Sequence, residues 1–361
     1  MTMQNQINKI IPAVRMMLSA DSLKTVKFFA EGELYEPVKS IESLVVDNSD
    51  HVLTELSEKI KSAGKKIEAI TIKGFGTLLV ADYPKGNGRV EQRIAIVTGG
   101  AQGFGAGIVE HLMQNGANVV VADLNAEKGQ EFVDELNATK RNNKALFVKT
   151  NVADAASVEN LIAETVKEFG GLDLFISNAG ILRAGSLDEM TPETFELMTK
   201  VNYSAYFICA KYASKVLKVQ NQWKPDHFTD IIQINSKSGL KGSNKNFAYA
   251  GGKFGGIGLT QSFALELMPY RIKVNSVCPG NFFDGPLWAD PETGLFVQYL
   301  RAGKVPGAKT IDDVKRFYEA QVPAGRGCTP LDVMRAVYYI IEQEYETGQA
   351  VPVTGGQNML N

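Results

Sequence analysis

From residue 93 onward the apolar positions of the chain fall in short continuous runs. "IAIVTG", "ANVVVAD", "ALFVKTNV", "LDLFISNAG", "DIIQINS", "IKVNSVCPG" and "QAVPVTGG" are seven such runs, rich in β-branched residues. Most are separated by stretches whose apolar positions recur at helical spacing. A strand that is apolar on both faces has to be covered on both, so the pattern predicts a parallel sheet between two helix layers. Residues 1–82 have another rhythm. "ESLVVD" predicts a strand and "SDHVLTELSEKIKSAG" an amphipathic helix, capped by Asp50 and ended by Gly64. "IEAITI" and "TLLVAD" predict two further strands, and "YPKGNGR", residues 83–89, has the content of a linker. The expected organisation is a small α/β segment over 1–90 and a larger α/β unit over 91–361. There is no internal repeat and no low-complexity tract.

Composition narrows the function classes without choosing one. A chain of 361 residues can build one large domain and an appendage. A net charge of −2 gives no reason to expect nucleic acid or an acidic membrane as partner. Cys209, Cys278 and Cys328 are scattered and odd in number, which suits a reducing cytosol better than a disulfide framework, and no CxxC suggests a metal. "IIPAVRMML" is broken by Pro12 and Arg15 and reads poorly as a signal peptide. Nothing approaches the roughly 18 apolar residues of a spanning helix, so the expected location is the cytoplasm.

Chemistry first enters at "IAIVTGGAQGFGAGIVEHL", where Gly99, Gly103 and Gly105 stand between a predicted strand and a predicted helix. Glycines there let the backbone turn sharply and approach a pyrophosphate, whose charge the helix N-terminus favours. The spacing is TGxxxGxG, and its strand–turn–helix context is the one a dinucleotide site requires. The fold expected is a Rossmann-type doubly wound parallel sheet of about seven strands, with the small N-terminal α/β appendage attached. Asp123 ends the next strand, where a carboxylate can accept from ribose hydroxyls and would repel a 2′-phosphate. No Arg or Lys lies in "GGAQGFG" or directly after Asp123, which predicts NAD rather than NADP.

"TGGAQGFG", "SNAG" at 177–180, Asn202 in "KVNYSAYF", Ser236, "YAGGK" at 249–253 and "CPG" at 278–280 resemble, in order and spacing, the short-chain dehydrogenase/reductase family over roughly residues 91–361. The resemblance implies cofactor contacts from Gly99, Gly103, Phe104 and Gly105, from Asn151 and Val152, and from Asn178, Ala179 and Gly180 on the adenosine side. Pro279 and Gly280 would serve the nicotinamide side, and Lys253 the nicotinamide ribose. Asn202 would position a water for proton relay. Two positions depart from the family pattern. Asn151 stands where many relatives have Asp, and "NFFDGP" after Gly280 lacks the Thr that often binds the carboxamide.

The chemistry accounts for these residue types. Passing a hydride between a carbinol carbon and nicotinamide requires a proton to leave or join the oxygen. Tyr249 can carry it, but a free phenol titrates near ~10, and working at neutral pH means favouring the phenolate by roughly 4 kcal/mol. Tyr249 and Lys253 are i and i+4 on one helix face, so the ammonium is expected to supply much of that. Ser236 would hydrogen-bond the substrate oxygen.

Three cations are candidates for substrate contact: Lys237 directly after the serine, Lys241 in the loop beyond it, and Arg326 in "AGRGC". A dianionic phosphate would favour such a neighbourhood. "IIQINSKSG", "YAGGKFGGIGLTQS", "VPAGRGC" and "VTGGQ" also resemble family members that act on a polyol phosphate. The expected substrate is a small polyol phosphate. An unphosphorylated polyol, sugar or other secondary alcohol is the alternative, and an NAD-binding regulator on the same fold is a third reading. The long segment 281–325 predicts a lid or substrate-shaping excursion.

Gly251, Gly252, Gly255 and Gly256 in one helix, each costing about 1 kcal/mol relative to Ala, predict close packing of backbone against backbone there. By resemblance to related enzymes they also predict a homo-oligomer, dimer or tetramer. "AITIKGFGTLLVADYPKG" faintly resembles the C-terminal edge of class II aldolases. Aldolase chemistry of that class needs a zinc-binding histidine cluster, whereas His51, His111 and His227 are the chain's only histidines and are far apart in sequence.

Overall fold

The computed structural model describes residues 2–20, 22–33, 43–64, 66–82, 86–139, 141–292, 294–301 and 303–359. Helix α1 (Met3–Leu18) opens the chain, followed by strands β1 (Thr25–Ala30) and β2 (Ser43–Asp47), helix α2 (Val52–Ser62), and strands β3 (Ala69–Lys73) and β4 (Gly76–Ala81). The four strands form one sheet in the order β1-β4-β3-β2, antiparallel except between β2 and β3. Residue 42 of the predicted first strand and residues 83–85 of the predicted linker lie outside the described residues.

Two details of this segment differ from the sequence reading. Helix α2 begins at Val52 with His51 as its N-cap and no side-chain cap, so Asp50 does not cap it, and Ala63 rather than Gly64 is its C-cap. Helix α1 and strand β1 are not among the predicted elements. Pro12 and Arg15 interrupt the apolar run of α1, yet Ile7, Ile10, Ile11 and Val14 are buried in one core with residues of the large unit. Helix α1 packs on α5 (Ala155–Phe169) and α7 (Ala205–Trp223), two helices of that unit.

All seven runs from residue 93 onward are strands. They are β5 (Ile94–Thr98), β6 (Asn118–Asp123), β7 (Ala145–Lys149), β8 (Leu174–Ser177), β9 (Thr229–Ile234), β10 (Ile272–Pro279) and β11 (Ala350–Val353). They form one parallel sheet in the order β7-β6-β5-β8-β9-β10-β11. Alternate residues face opposite layers. Ile94 and Ile96 join the core under α1, α5 and α7, while Ala95 and Val97 join the core under α3 (Gly103–Gln114), α4 (Ala126–Ala138) and α12 (Pro330–Glu342). The strand order reverses between β5 and β8, and the crevice beyond the strand ends at such a reversal is where ligands bind in this architecture.

The opposite, N-terminal ends of the strands hold a buried charge cluster. Arg15 of α1 is fully buried and grips Asp173 with two hydrogen bonds of 3.0 and 2.7 Å. Asp173 also accepts from the Ile94 N–H at 2.8 Å and lies 2.9 Å from His227 Nε2. Burial alone would raise the Asp173 pKa; the Arg15 charge and the His227 hydrogen bond overcome it and hold the carboxyl well below the usual carboxylate range. Nearby, Lys273 Nζ lies 2.9 Å from Asp230 and donates to the Gln343 carbonyl at 3.0 Å, at the end of α12.

Residues 281–325 form the expected excursion. Helices α9 (Pro286–Ala289), α10 (Leu295–Arg301) and α11 (Ile311–Ala320) enclose a core of their own from Phe283, Trp288, Phe296, Val305, Val314 and Val322. Among the described residues no helix is long and apolar enough to cross a membrane, and no group of three or more His, Cys, Asp or Glu could hold a metal ion.

Candidate active site

The glycine turn follows β5. Gly99 and Gly103 have φ of +61° and +60°, a conformation that side chains with a Cβ rarely adopt. A Cβ on Gly105 would lie 1.9 Å from the Gly99 carbonyl oxygen, so only glycine lets α3 start this close to the turn. Gln102, the N-cap of α3, makes no side-chain cap, so no cap side chain occupies the first-turn N–H groups. The cradle fits a pyrophosphate. Asp123 is oriented by the Ala101 N–H at 3.1 Å and the Asn125 N–H at 3.0 Å, and stays partly exposed at the end of β6.

The structure brings the adenosine-side residues together but gives two of them structural work. Asn178 donates to the carbonyls of Thr98 and Gly99 at 2.9 and 3.1 Å, and the Ala179 N–H donates to Thr98 Oγ1, so these residues pin β8 to the glycine turn. Gly180 faces Asn202, whose Oδ1 would be 2.9 Å from a Cβ there. Asn151 is exposed and its Oδ1 accepts from the Ala153 N–H; Val152 is buried beside it. Pro279 ends β10, and the Gly280 N–H donates to the Val353 carbonyl at 2.9 Å.

Helices α6 (Pro192–Thr199) and α7 are joined by a π-helical turn, Lys200–Ser204. Such turns often mark functional positions. Asn202 lies in it and clasps the backbone of Ile181, accepting its N–H at 3.1 Å and donating to its carbonyl at 2.9 Å.

Ser236 follows β9 and caps a short 3-10 turn, its Oγ accepting the Ser238 N–H at 3.1 Å. Helix α8 (Phe247–Leu267) carries Tyr249 and Lys253. As the spacing requires, they share a face: Lys253 Nζ is 5.5 Å from the Tyr249 ring centroid. Lys253 is buried and its ammonium donates to the Ile234 carbonyl at 2.9 Å. Three side chains from two elements thus converge at the end of β9.

Burial works against the charged form of each group. It pushes the Tyr249 phenol up to about 12, and the Ser236 hydrogen bond pulls against it. Burial likewise pushes Lys253 down to about 8. Burial thus disfavours the charged form of both groups, but a lysine lowered only to about 8 keeps its ammonium beside the phenol at neutral pH.

The glycines of α8 also differ in part from expectation. A Cβ on Gly252 would approach Asn202 Cβ at 3.2 Å, one on Gly255 the Tyr203 ring at 2.7 Å, and one on Gly256 the Gln233 amide at 2.5 Å. Close packing against side chains accounts for these three. Gly251 is exposed and meets nothing.

The candidate cations separate. Lys237 is half-buried, burial lowers its pKa, and its ammonium has no ion-pair partner among the described residues. Lys241 is exposed in the following loop. Arg326 is committed elsewhere: its guanidinium holds Asp332 at 2.5 and 2.9 Å, and Asp332 completes the capping box of α12. A cavity of about 320 Å³ lies between Gly280, Arg326 and Gln357, but Ser236, Tyr249 and Lys253 do not line it. Two contributors escaped the sequence reading. Phe282, at the root of the excursion, stacks on Phe104 of the glycine turn with centroids 4.7 Å apart. Asn235, next to Ser236, is buried against α8.

Residues 93–289 match the family model described as short chain dehydrogenase. The chain belongs to that family. It is 35% identical over 274 residues to sorbitol-6-phosphate 2-dehydrogenase of Escherichia coli (strain K12), covering 74% of this chain and 99% of that protein. An uncharacterized oxidoreductase of Thermotoga maritima is 32% identical over 75% of this chain and 97% of its own length. The crystal structure of sorbitol-6-phosphate 2-dehydrogenase SrlD from Erwinia amylovora superposes with a TM-score of 0.66 at 37% identity, covering 74% of this chain and all of that one. This short-chain dehydrogenase is therefore an oxidoreductase that acts on a secondary alcohol with a nicotinamide dinucleotide.

Proposed function

We propose that the enzyme interconverts a polyol phosphate and its ketose phosphate with NAD, and that the pair is D-glucitol 6-phosphate and D-fructose 6-phosphate. The observation that carries the phosphate is Lys237, a half-buried ammonium without an ion-pair partner among the described residues, one residue from Ser236. The names of two similar proteins point the same way. NAD is favoured over its 2′-phosphorylated form by Asp123, a carboxylate fixed at the end of β6 by two backbone N–H groups.

A bound nicotinamide dinucleotide supplies the hydride acceptor and, when oxidised, a positive charge. The chain's own groups handle the proton. Ser236 Oγ and Tyr249 Oη bind the substrate hydroxyl; once the phenol has released its own proton to solvent, the Tyr249 phenolate takes the hydroxyl proton as the carbinol carbon gives up hydride. The reverse reaction returns that proton to the new alkoxide. Lys253 holds its charge beside the ring and steadies the phenolate once it forms. Asn202 keeps Ile181 in place at the cleft wall. Lys237 and the exposed Lys241 would bracket the phosphate.

Dinucleotide reduction with D-glucitol 6-phosphate and free sorbitol, side by side, tests this reading. A strong preference for the phosphate is expected. Equal or greater activity on the free polyol would replace it with an unphosphorylated alcohol as substrate and return Lys237 to a structural role. We also infer a homo-oligomer, because α8 exposes Phe254 and Leu265 along its length and leaves Gly251 open. Sedimentation as a monomer at micromolar concentration would overturn it.

A further inference from the structure

We propose that Asn235 is a positioning residue that sets the distance between Ser236 and the Tyr249–Lys253 pair; the proposal rests on the catalytic reading above. Asn235 is 4% exposed. Its Oδ1 accepts the Ser236 N–H at 2.8 Å, and its Nδ2 donates to the Lys253 carbonyl at 2.9 Å and to Gln233 Oε1 at 2.7 Å. One amide therefore ties the strand end bearing the serine to the helix bearing the tyrosine and lysine. Both amide hydrogens are in use, so the group has one orientation in which all three bonds form.

The neighbouring geometry depends on that orientation. The preceding residue, Ile234, accepts from Lys253 Nζ at 2.9 Å, so two consecutive residues hold the lysine at its ammonium and at its backbone. A Cβ on Gly239 would stand 2.2 Å from Asn235 Oδ1 and 3.0 Å from the Lys253 carbonyl oxygen, which shows how tightly the turn after Ser236 lies over the amide. Behind Asn235, Gln233 Oε1 also accepts from Ser276 Oγ at 3.2 Å, and Ser276 meets Thr260 of α8 at 2.7 Å. This buried network gives α8 a second polar anchor along its length. A buried network that is fully bonded fixes one arrangement, and a partly bonded one does not.

The test compares Asn235→Ser, Asn235→Asp and Tyr249→Phe with the unaltered enzyme, each per dinucleotide-binding site counted by fluorescence titration. The serine hydroxyl is too short to bridge to α8, and the aspartate can accept from Ser236 but cannot donate to the Lys253 carbonyl. Both should lower kcat about 10- to 100-fold, the scale expected when reacting groups are misplaced by around an ångström. KM should change much less. The deuterium isotope effect on kcat should rise, and the pH at which kcat reaches half its maximum should move. A role confined to stability would lower the number of binding sites and leave kcat per site, the isotope effect and the pH profile unchanged. That result in either folded variant overturns the proposal while Tyr249→Phe is inactive. If Tyr249→Phe itself turns over normally, the catalytic reading fails first and the proposal falls with it.

Discussion

The two ends of the parallel sheet treat charge in opposite ways. At the N-terminal ends of the strands Arg15, Asp173 and His227 meet in a buried cluster, and Lys273 faces Asp230 and the end of α12. Beyond the C-terminal ends, Lys253 is buried with only a carbonyl to bond, Tyr249 is held neutral, and Lys237 has no counter-ion among the described residues. Paired charges hold a structure; charges left short of partners are available to a ligand. The same sheet is thus bolted at one end and poised at the other.

If that contrast is right, substitutions at the two ends should separate stability from turnover. The largest effect should come from Tyr249→Phe, which removes the proton carrier: kcat should fall roughly 10²- to 10⁴-fold, measured as dinucleotide reduction, with unfolding by urea unchanged. Arg15→Ala is the counterpart at the other end. It leaves Asp173 without its arginine and should lower stability by about 3–5 kcal/mol in urea unfolding, while kcat per folded site holds.

Lys253→Met should separate the two quantities in a single residue. Turnover should be lost, yet stability should hold or rise, since a buried ammonium is replaced by an apolar chain. The pH dependence gives the sign. Burial lowers Lys253 from 10.5 to about 8, so between those values the unfolded chain keeps a proton that the folded chain has lost. Stability should therefore rise with pH across that window in the unaltered protein, relative to Lys253→Met, as read from thermal midpoints. The smallest effect belongs to Lys237→Ala: KM for the phosphorylated substrate should rise about tenfold, the scale of one charge-assisted hydrogen bond, with stability within about 0.5 kcal/mol.

The poised end was far easier to read from sequence than the bolted one. Glycine spacing and the serine–tyrosine–lysine order are local patterns, and the seven strands are continuous apolar runs, so periodicity and spacing suffice for both. The pair Arg15–Asp173 joins residues 158 positions apart, and no local pattern signals it. Helix α1 has no local signal for the same reason: its apolar face makes sense only against α5 and α7. Asn235 stands beside Ser236 in the sequence, but its partner carbonyl at Lys253 appears only when β9 and α8 are packed. The commitment of Arg326 was more accessible, because "TPLD" at 329–332 is the pattern of a capped helix start with an acid six residues from the arginine.

The arginine of α1 has a practical consequence for anyone shortening this gene. A chain begun at the glycine-rich linker would still encode every residue of the catalytic cleft. It would also leave Asp173 as a carboxylate in an apolar interior with only His227, the Ile94 N–H and a long contact from Gln220 among the described residues, beside the faces of α5 and α7 that α1 had covered. Such a product should be recovered from inclusion bodies rather than solution. The first ninety residues are thus part of the enzyme's hull, and fusion partners or tags belong ahead of them, not in their place.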